Sequence, residues 1–124
     1  MTVRRKTDPA VGRTALAAWR AGTAARAQLA SAVRFTLEEL ALVTPGHAVE
    51  VRVAPFGAVQ CVEGPKHTRG TPPNVIEMDA QTWLELATGQ LDWAGALADA
   101  RVSASGERAD ISAWLPLAAA RDRS

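Results

Sequence analysis

The hydrophobic period of this chain changes once, and the change constrains its fold more than any other feature. Between residues 23 and 43, four apolar residues recur at spacings of four, four and three, as a helix with one apolar stripe requires: Leu29, Val33, Leu37 and Leu40. Pro45 and Gly46 end that pattern. Val49, Val51 and Val53 then alternate with charged residues, which predicts a half-buried strand. A one-sided helix followed by a one-sided strand indicates an α+β layer, with helices packed on a sheet.

The remaining segments extend this order of elements. A short helix is predicted over residues 13–21, strands over 58–62 and 75–78, helices over 79–86 and 92–100, a strand over 102–105 and a helical turn over 111–115. Asp79 and Asp92 are the expected N-caps of the two later helices, and Gly89 is the expected C-cap of the first of these. The whole predicts an antiparallel-rich sheet, with residues 1–12 as a disordered basic N-terminus and 13–120 as one domain.

Composition narrows the class of protein. A chain of 124 residues with 48% hydrophobic residues fits one domain with a core of its own. Its one cysteine excludes an intramolecular disulfide and favours a cytoplasmic setting. No apolar run approaches the roughly 20 residues that span a bilayer, so stable membrane insertion is not expected.

Positive charge is concentrated at the start of the chain. Residues 1–26 hold six cations and one anion. This segment is interpreted as a solvated basic tail that leads into a helix; contact with acidic lipid headgroups or nucleic acid is the alternative. Aromatic residues do not interleave with the clustered cations, so no nucleic-acid partner is predicted.

A polar loop over residues 63–74 carries most of the candidate chemistry. Cys61 and His67 are a conceivable nucleophile and base, but no sequence signature supports the pair, and a free cysteine in an apolar run is usually a core residue. Lys66 and Arg69 are placed to meet a carboxylate, phosphate or sulfate. The alternative is a polar surface connection, but loops of this length are more often functional. With one Cys, two His and no CxxC or HxxxH spacing, neither a metal nor a cofactor is predicted.

Tryptophan usage points to the helical layer. Trp83 and Trp93 fall on the two adjacent short helices, and Trp114 falls on the last helical turn. One possibility is that each tryptophan side chain fills part of the core. The other is that the three together line an apolar cavity between helices and sheet. The sequence leaves both possibilities open.

The stretch from Asn74 to Leu117 resembles the C-terminal half of the sterol carrier protein 2 family. Five segments carry the resemblance, namely the strand at 75–78, the capped helix at 79–89, and segments 91–97, 101–106 and 111–117. The whole chain is similar to the short bacterial members of this superfamily from high-GC actinobacteria, over roughly residues 25–117.

The resemblance implies a sterol carrier protein 2-like α+β fold, with a mostly antiparallel five-stranded sheet and helices packed on one face. It also implies a non-enzymatic carrier with an apolar tunnel for lipids, sterols or acyl groups. The tail of the ligand would lie between sheet and helices, and its head at the polar loop. The predicted ligand-binding residues are Cys61, His67, Arg69, Asn74, Trp83, Leu86, Trp93 and Trp114. Because the loop is more basic than a sterol needs, an acidic amphiphile is expected to suit it better.

Two other functions compete with the carrier hypothesis. The fold also occurs as an accessory domain beside thiol-dependent isomerases or transferases, so the chain is alternatively a module that docks on such a partner through its basic N-terminal helix. An enzyme that uses Cys61 or His67 is the third possibility, and it requires a reactive thiol. The Ala-rich helices at the N-terminus leave a homodimer open.

Overall fold

The computed structural model describes residues 6–64 and 74–121. Its elements follow the predicted order. They are α1 (Pro9–Arg20), α2 (Arg26–Val43), β1 (Val49–Val53), β2 (Gly57–Cys61), β3 (Val75–Met78), α3 (Ala80–Thr88), α4 (Trp93–Ala98) and β4 (Val102–Ser105). Two short 3-10 helices, Ser112–Trp114 and Ala118–Ala120, close the chain. The α+β class predicted from the change of period is confirmed.

The predicted number of five strands is wrong for the described residues, which form a mixed sheet of four strands in the order β2-β1-β3-β4. The mostly antiparallel pairing that was predicted holds for two of the three strand pairs. β1 pairs with β2 in antiparallel and with β3 in parallel orientation, and β3 pairs with β4 in antiparallel orientation. The parallel pair arises because the chain crosses from the end of β2 to the other edge of β1 before it forms β3. Period-two patterning marks a strand but does not say which edge the strand joins.

The helices cover one face of the sheet. Along β1, Val49, Val51 and Val53 are fully buried, whereas Glu50 and Arg52 between them are partly exposed. On that outer face, the Arg52 guanidinium pairs with Glu50 and lies 3.7 Å from Glu77 Oε1. α2 packs against β2 on the inner face of the sheet, and it also packs against α1. The core therefore lies between the inner face of the sheet and the helical layer.

The first helix begins at Pro9, four residues before the predicted start. Asp8 caps it by accepting the Ala10 N–H at 3.0 Å, and proline is favoured at the first helical position because its fixed φ suits the helix. Gly12 lies so close to α2 that an added Cβ would be 2.3 Å from Phe35 Cγ. Part of the predicted N-terminal tail is thus packed structure, and residues 1–5 lie outside the described residues.

Over the two described ranges, the structure contains no helix with the length and apolarity needed to cross a bilayer.

Candidate functional site

Trp83 occupies the interior between the helices. Its side chain is 0% exposed, and its indole Nε1–H donates to Thr36 Oγ1 on α2 at 2.7 Å. The Thr36 hydroxyl lies 2.8 Å from the carbonyl oxygen of Ala32, to which it donates in turn. Trp83 belongs to the same buried core cluster as Leu37, Leu40 and Leu84. The protein's own side chains therefore fill the interior around Trp83, which is part of the space in which the resemblance placed the tail of a ligand.

Cys61 is also an interior residue. It lies opposite Val49 in the β1–β2 ladder, and both side chains are 0% exposed. Burial raises the pKa of the Cys61 thiol to about 12, because the apolar surroundings disfavour the thiolate. A nucleophilic cysteine requires the opposite shift and access to solvent.

We expect Cys61 to react with a thiol reagent such as 5,5′-dithiobis(2-nitrobenzoate) only when the protein unfolds. The raised pKa leaves a very small thiolate fraction at pH 8, and burial excludes the reagent. The measurement is the labelling rate in buffer and in urea. Labelling of the native protein at the rate of a small-molecule thiol would contradict this and revive the enzyme hypothesis.

Asn74 bridges two parts of the backbone. It is only 4% exposed; its Nδ2 donates to the Ala48 carbonyl oxygen at 2.8 Å, and its Oδ1 accepts the Arg108 N–H at 2.8 Å. A buried polar group normally finds partners in this way. Asn74 thus has a structural role at the start of β3, which accounts for its amide without a ligand.

An apolar cleft of about 430 Å³ opens beside the C-terminal end of α3. The end of α3, the start of α4 and the 3-10 helix Ser112–Trp114 with the residues after it form its walls. Among the described residues, six apolar ones line it, namely Leu86, Leu91, Trp93, Ala94, Leu115 and Pro116, together with Gly89, Asp92 and Ser112. Leu86 and Trp93 are almost fully buried at its base, whereas Ala94 and Pro116 are exposed at its rim.

Local sequence signals shape this cleft. The Asp79 carboxylate accepts the Thr82 N–H at 2.8 Å and begins α3; this bond lowers the pKa of Asp79, with help from Arg101. Gly89 ends α3 in the left-handed conformation, at φ 86°, which glycine adopts without steric cost. An added Cβ at Gly89 would lie 3.3 Å from Pro116, so the glycine also admits the C-terminal segment.

Hydrogen bonds hold the other two walls. Asp92 begins α4 by accepting the Gly95 N–H at 2.7 Å. The Leu117 N–H donates to the Ala87 carbonyl oxygen at 2.9 Å, which fixes the C-terminal segment against the last turn of α3. The predicted caps at Asp79, Gly89 and Asp92 are therefore the residues that position the cleft.

Two other clefts of similar size have more polar and charged residues in their lining. One, of about 410 Å³, includes Arg20, Gln81 and Gln90 in its lining; the other, of about 400 Å³, is lined partly by Lys6, Arg34 and Glu38. Pockets for small molecules are mostly apolar with a few polar groups. Of these three clefts, the one beside α3 fits that description best.

The six predicted site residues that the structure describes do not come together in one site. Leu86 and Trp93 line the cleft, and Trp114 packs half-buried against the core outside the cleft lining. Cys61, Asn74 and Trp83 make the interior contacts described above. His67 and Arg69, like Lys66, lie outside the described residues. Ligand binding by these eight residues stays a prediction.

Sequence reasoning missed several residues of the cleft, above all Leu91, Asp92, Ser112 and Leu115. Leu91 carried a usable signal, because an apolar residue shortly after a C-cap glycine often packs back on the helix that has just ended. Ser112 and Leu115 carried none, since their place in the cleft depends on how the C-terminal segment returns to α3.

A comparison with protein families shows to which family the chain belongs. A family model described as the bacterial SCP ortholog matches residues 25–117, where SCP denotes sterol carrier protein. The chain belongs to this family. The resemblance stated from the sequence, over the same residues, is thereby confirmed. No curated protein matches the chain.

Membership of the SCP family indicates a lipid-carrier domain. The matched residues run from the loop before α2 to the residue after the cleft wall, so they contain the whole sheet, α3, α4 and every residue of the cleft lining. α1 precedes the match.

Proposed function

We propose that this protein is a non-enzymatic carrier that binds the apolar part of a lipid, sterol or acyl amphiphile in the cleft between α3, α4 and the C-terminal segment. The observation that carries the proposal is the apolar lining of that cleft in an SCP family member. Its volume of about 430 Å³ falls within the range of about 300–1,000 Å³ that is typical of small-molecule sites.

The filled interior supports this placement over a tunnel beneath the helices. A ligand tail between sheet and helices would have to displace Trp83, whose indole is buried and hydrogen bonded to Thr36. Well-packed protein interiors accommodate added volume only at a cost of about 1–3 kcal/mol or more. A tail in the cleft displaces water alone, and burial of its apolar surface favours binding.

Replacement of Ala94 by tryptophan is expected to weaken binding of dodecanol by about tenfold or more, because a bulky ring at the rim occupies space that the alkyl chain needs. Isothermal titration calorimetry on the full chain measures the affinity. Ala98→Trp is the matched control: it makes the same change at an exposed position of the same helix, outside the cleft lining. Equal affinities for the Ala94→Trp variant and the wild-type protein would place the site elsewhere.

The polar loop and the docking hypothesis stay predictions. Lys66, His67 and Arg69 lie outside the described residues, so a contact between the loop and a ligand head rests on the sequence alone. Docking on a thiol-dependent partner and homodimer formation likewise rest on the resemblance and on the Ala-rich α1.

A further inference from the structure

The cleft is acidic, and this bears on the head group of its ligand. Asp92 lines it, and none of the lining residues that the structure describes carries a positive charge. The segment that forms most of its walls, residues 79–100, contains four carboxylates and no Lys, Arg or His. The next cation along the chain, Arg101, is already engaged by Glu85 Oε1 at 2.5 Å and Thr82 Oγ1 at 3.1 Å.

Helix orientation adds to this negative potential. Leu86 and Gly89 bring the C-terminal end of α3 to the cleft, and the last carbonyl groups of a helix carry a partial negative charge, which the N–H groups of Gly89, Leu91 and Leu117 offset in part. α4 begins at the cleft with six residues, but the Asp92 carboxylate already accepts its Gly95 N–H at 2.7 Å. The positive end of α4 is therefore paired with a full negative charge.

The uncharged lining residues also suit a cation. Trp93 supplies an aromatic wall, and aromatic rings attract ammonium groups through the negative potential of their faces. Ser112 supplies a hydroxyl oxygen that is able to accept a hydrogen bond from an amine or a hydroxyl group. A carboxylate in the same place would meet Asp92, and the described part of the lining holds no cation to offset the repulsion.

We infer that the cleft selects amphiphiles with a cationic head group, an amine or quaternary ammonium, over those with a carboxylate. The inference rests on the proposed function and assigns its ligand class. It departs from the acidic amphiphile expected from the polar loop, because that expectation used Lys66 and Arg69, which lie outside the described residues. The neutral head of an alcohol or sterol is expected to bind with intermediate affinity.

The test is a series of three probes with one alkyl chain: dodecyltrimethylammonium, dodecanol and dodecanoate, titrated into the full chain at low ionic strength and below micelle-forming concentrations. The ammonium probe is expected to bind about tenfold more tightly than dodecanoate, the range that one partly exposed charge and a helix terminus supply together. Asp92→Asn should reduce this ratio to about threefold, since asparagine keeps the N-cap and removes the charge. Asp99→Asn is the matched control, because it removes one carboxylate from the other end of α4, outside the lining.

The outcomes separate this inference from the proposed function. If dodecanol does not bind, or binds Ala94→Trp as well as wild type, the proposed site itself is wrong. If dodecanol binds and Ala94→Trp blocks it, but dodecanoate binds as tightly as the ammonium probe, the inference is overturned while the carrier function stands. An equal drop of the ratio in Asp92→Asn and Asp99→Asn would also overturn it, because the preference would then reflect general surface charge. A drop in Asp92→Asn alone supports it.

Discussion

Replacement of Trp83 by alanine is expected to lower the free energy of unfolding by about 3–5 kcal/mol. The side chain is 0% exposed, so its removal leaves a cavity in a packed interior and deprives the Thr36 hydroxyl of the indole donor. Urea unfolding followed by far-UV circular dichroism measures the loss. Thr36→Val isolates the hydrogen bond and is expected to cost about 1–3 kcal/mol, because the buried indole N–H is left without an acceptor.

Trp19→Ala is the matched control for Trp83. Trp19 is only half-buried, and its indole donates to Gln81 at an exposed site, at 3.0 Å. Removal of the Trp19 side chain is therefore expected to lower the free energy of unfolding clearly less than removal of the Trp83 side chain. If Trp83→Ala were no more destabilising than Trp19→Ala, Trp83 would border open space, and the tunnel between sheet and helices would become the favoured site again.

Asn74→Ala is expected to lower the free energy of unfolding by about 2–4 kcal/mol, because it leaves the Ala48 carbonyl and the Arg108 N–H without their partners. Affinity for dodecanol, measured at a temperature where the variant is folded, should not change, because Asn74 is outside the cleft lining. Thermal unfolding and calorimetry give the two quantities.

Gln60→Ala provides the comparison for Asn74. Gln60 also has a side-chain amide, and its Oε1 lies 2.7 Å from His47 Nδ1. Because the pair is exposed, truncation of Gln60 is expected to lower the free energy of unfolding only a little. A variant Asn74→Ala as stable as Gln60→Ala, but unable to bind dodecanol, would return Asn74 to the head-group role that the sequence suggested.

Local signals were enough to predict the helices around the cleft. The cap residues Asp79, Gly89 and Asp92 act through bonds to backbone only a few residues away, so they are legible in the sequence. Asp8 and Pro9, an N-cap and a first-turn proline, also marked the start of α1. The positive charge around them nevertheless favoured the prediction of a tail. Glu38 explains why this segment is packed and does not form a tail. It accepts the Lys6 and Thr7 N–H groups from a position about thirty residues away and holds the segment on α2.

Structural features that depend on contacts between residues distant in the sequence were not predictable from the chain. The parallel pairing of β3 with β1 depends on the side of the sheet to which the chain returns after β2, and no residue pattern within β3 records it. The roles of the tryptophans depend in the same way on their neighbours. Trp83 has Thr36 within 2.7 Å and fills the core, whereas Trp93, ten residues later, lies at the cleft. Amphipathic spacing placed both on the helical layer without separating a filled interior from an open cleft.

The most direct test of the carrier cleft uses the four tryptophans as site-specific reporters. Each gives one indole Nε1–H signal in a ¹H–¹⁵N spectrum, assigned by tryptophan-to-phenylalanine variants. On titration with dodecanol, we predict a saturable shift of the Trp93 signal, while the signals of Trp83 in the core and Trp19 at the polar cleft stay in place. A shift of Trp83 with Trp93 unchanged, or no shift of Trp93 at saturating dodecanol, would contradict the account.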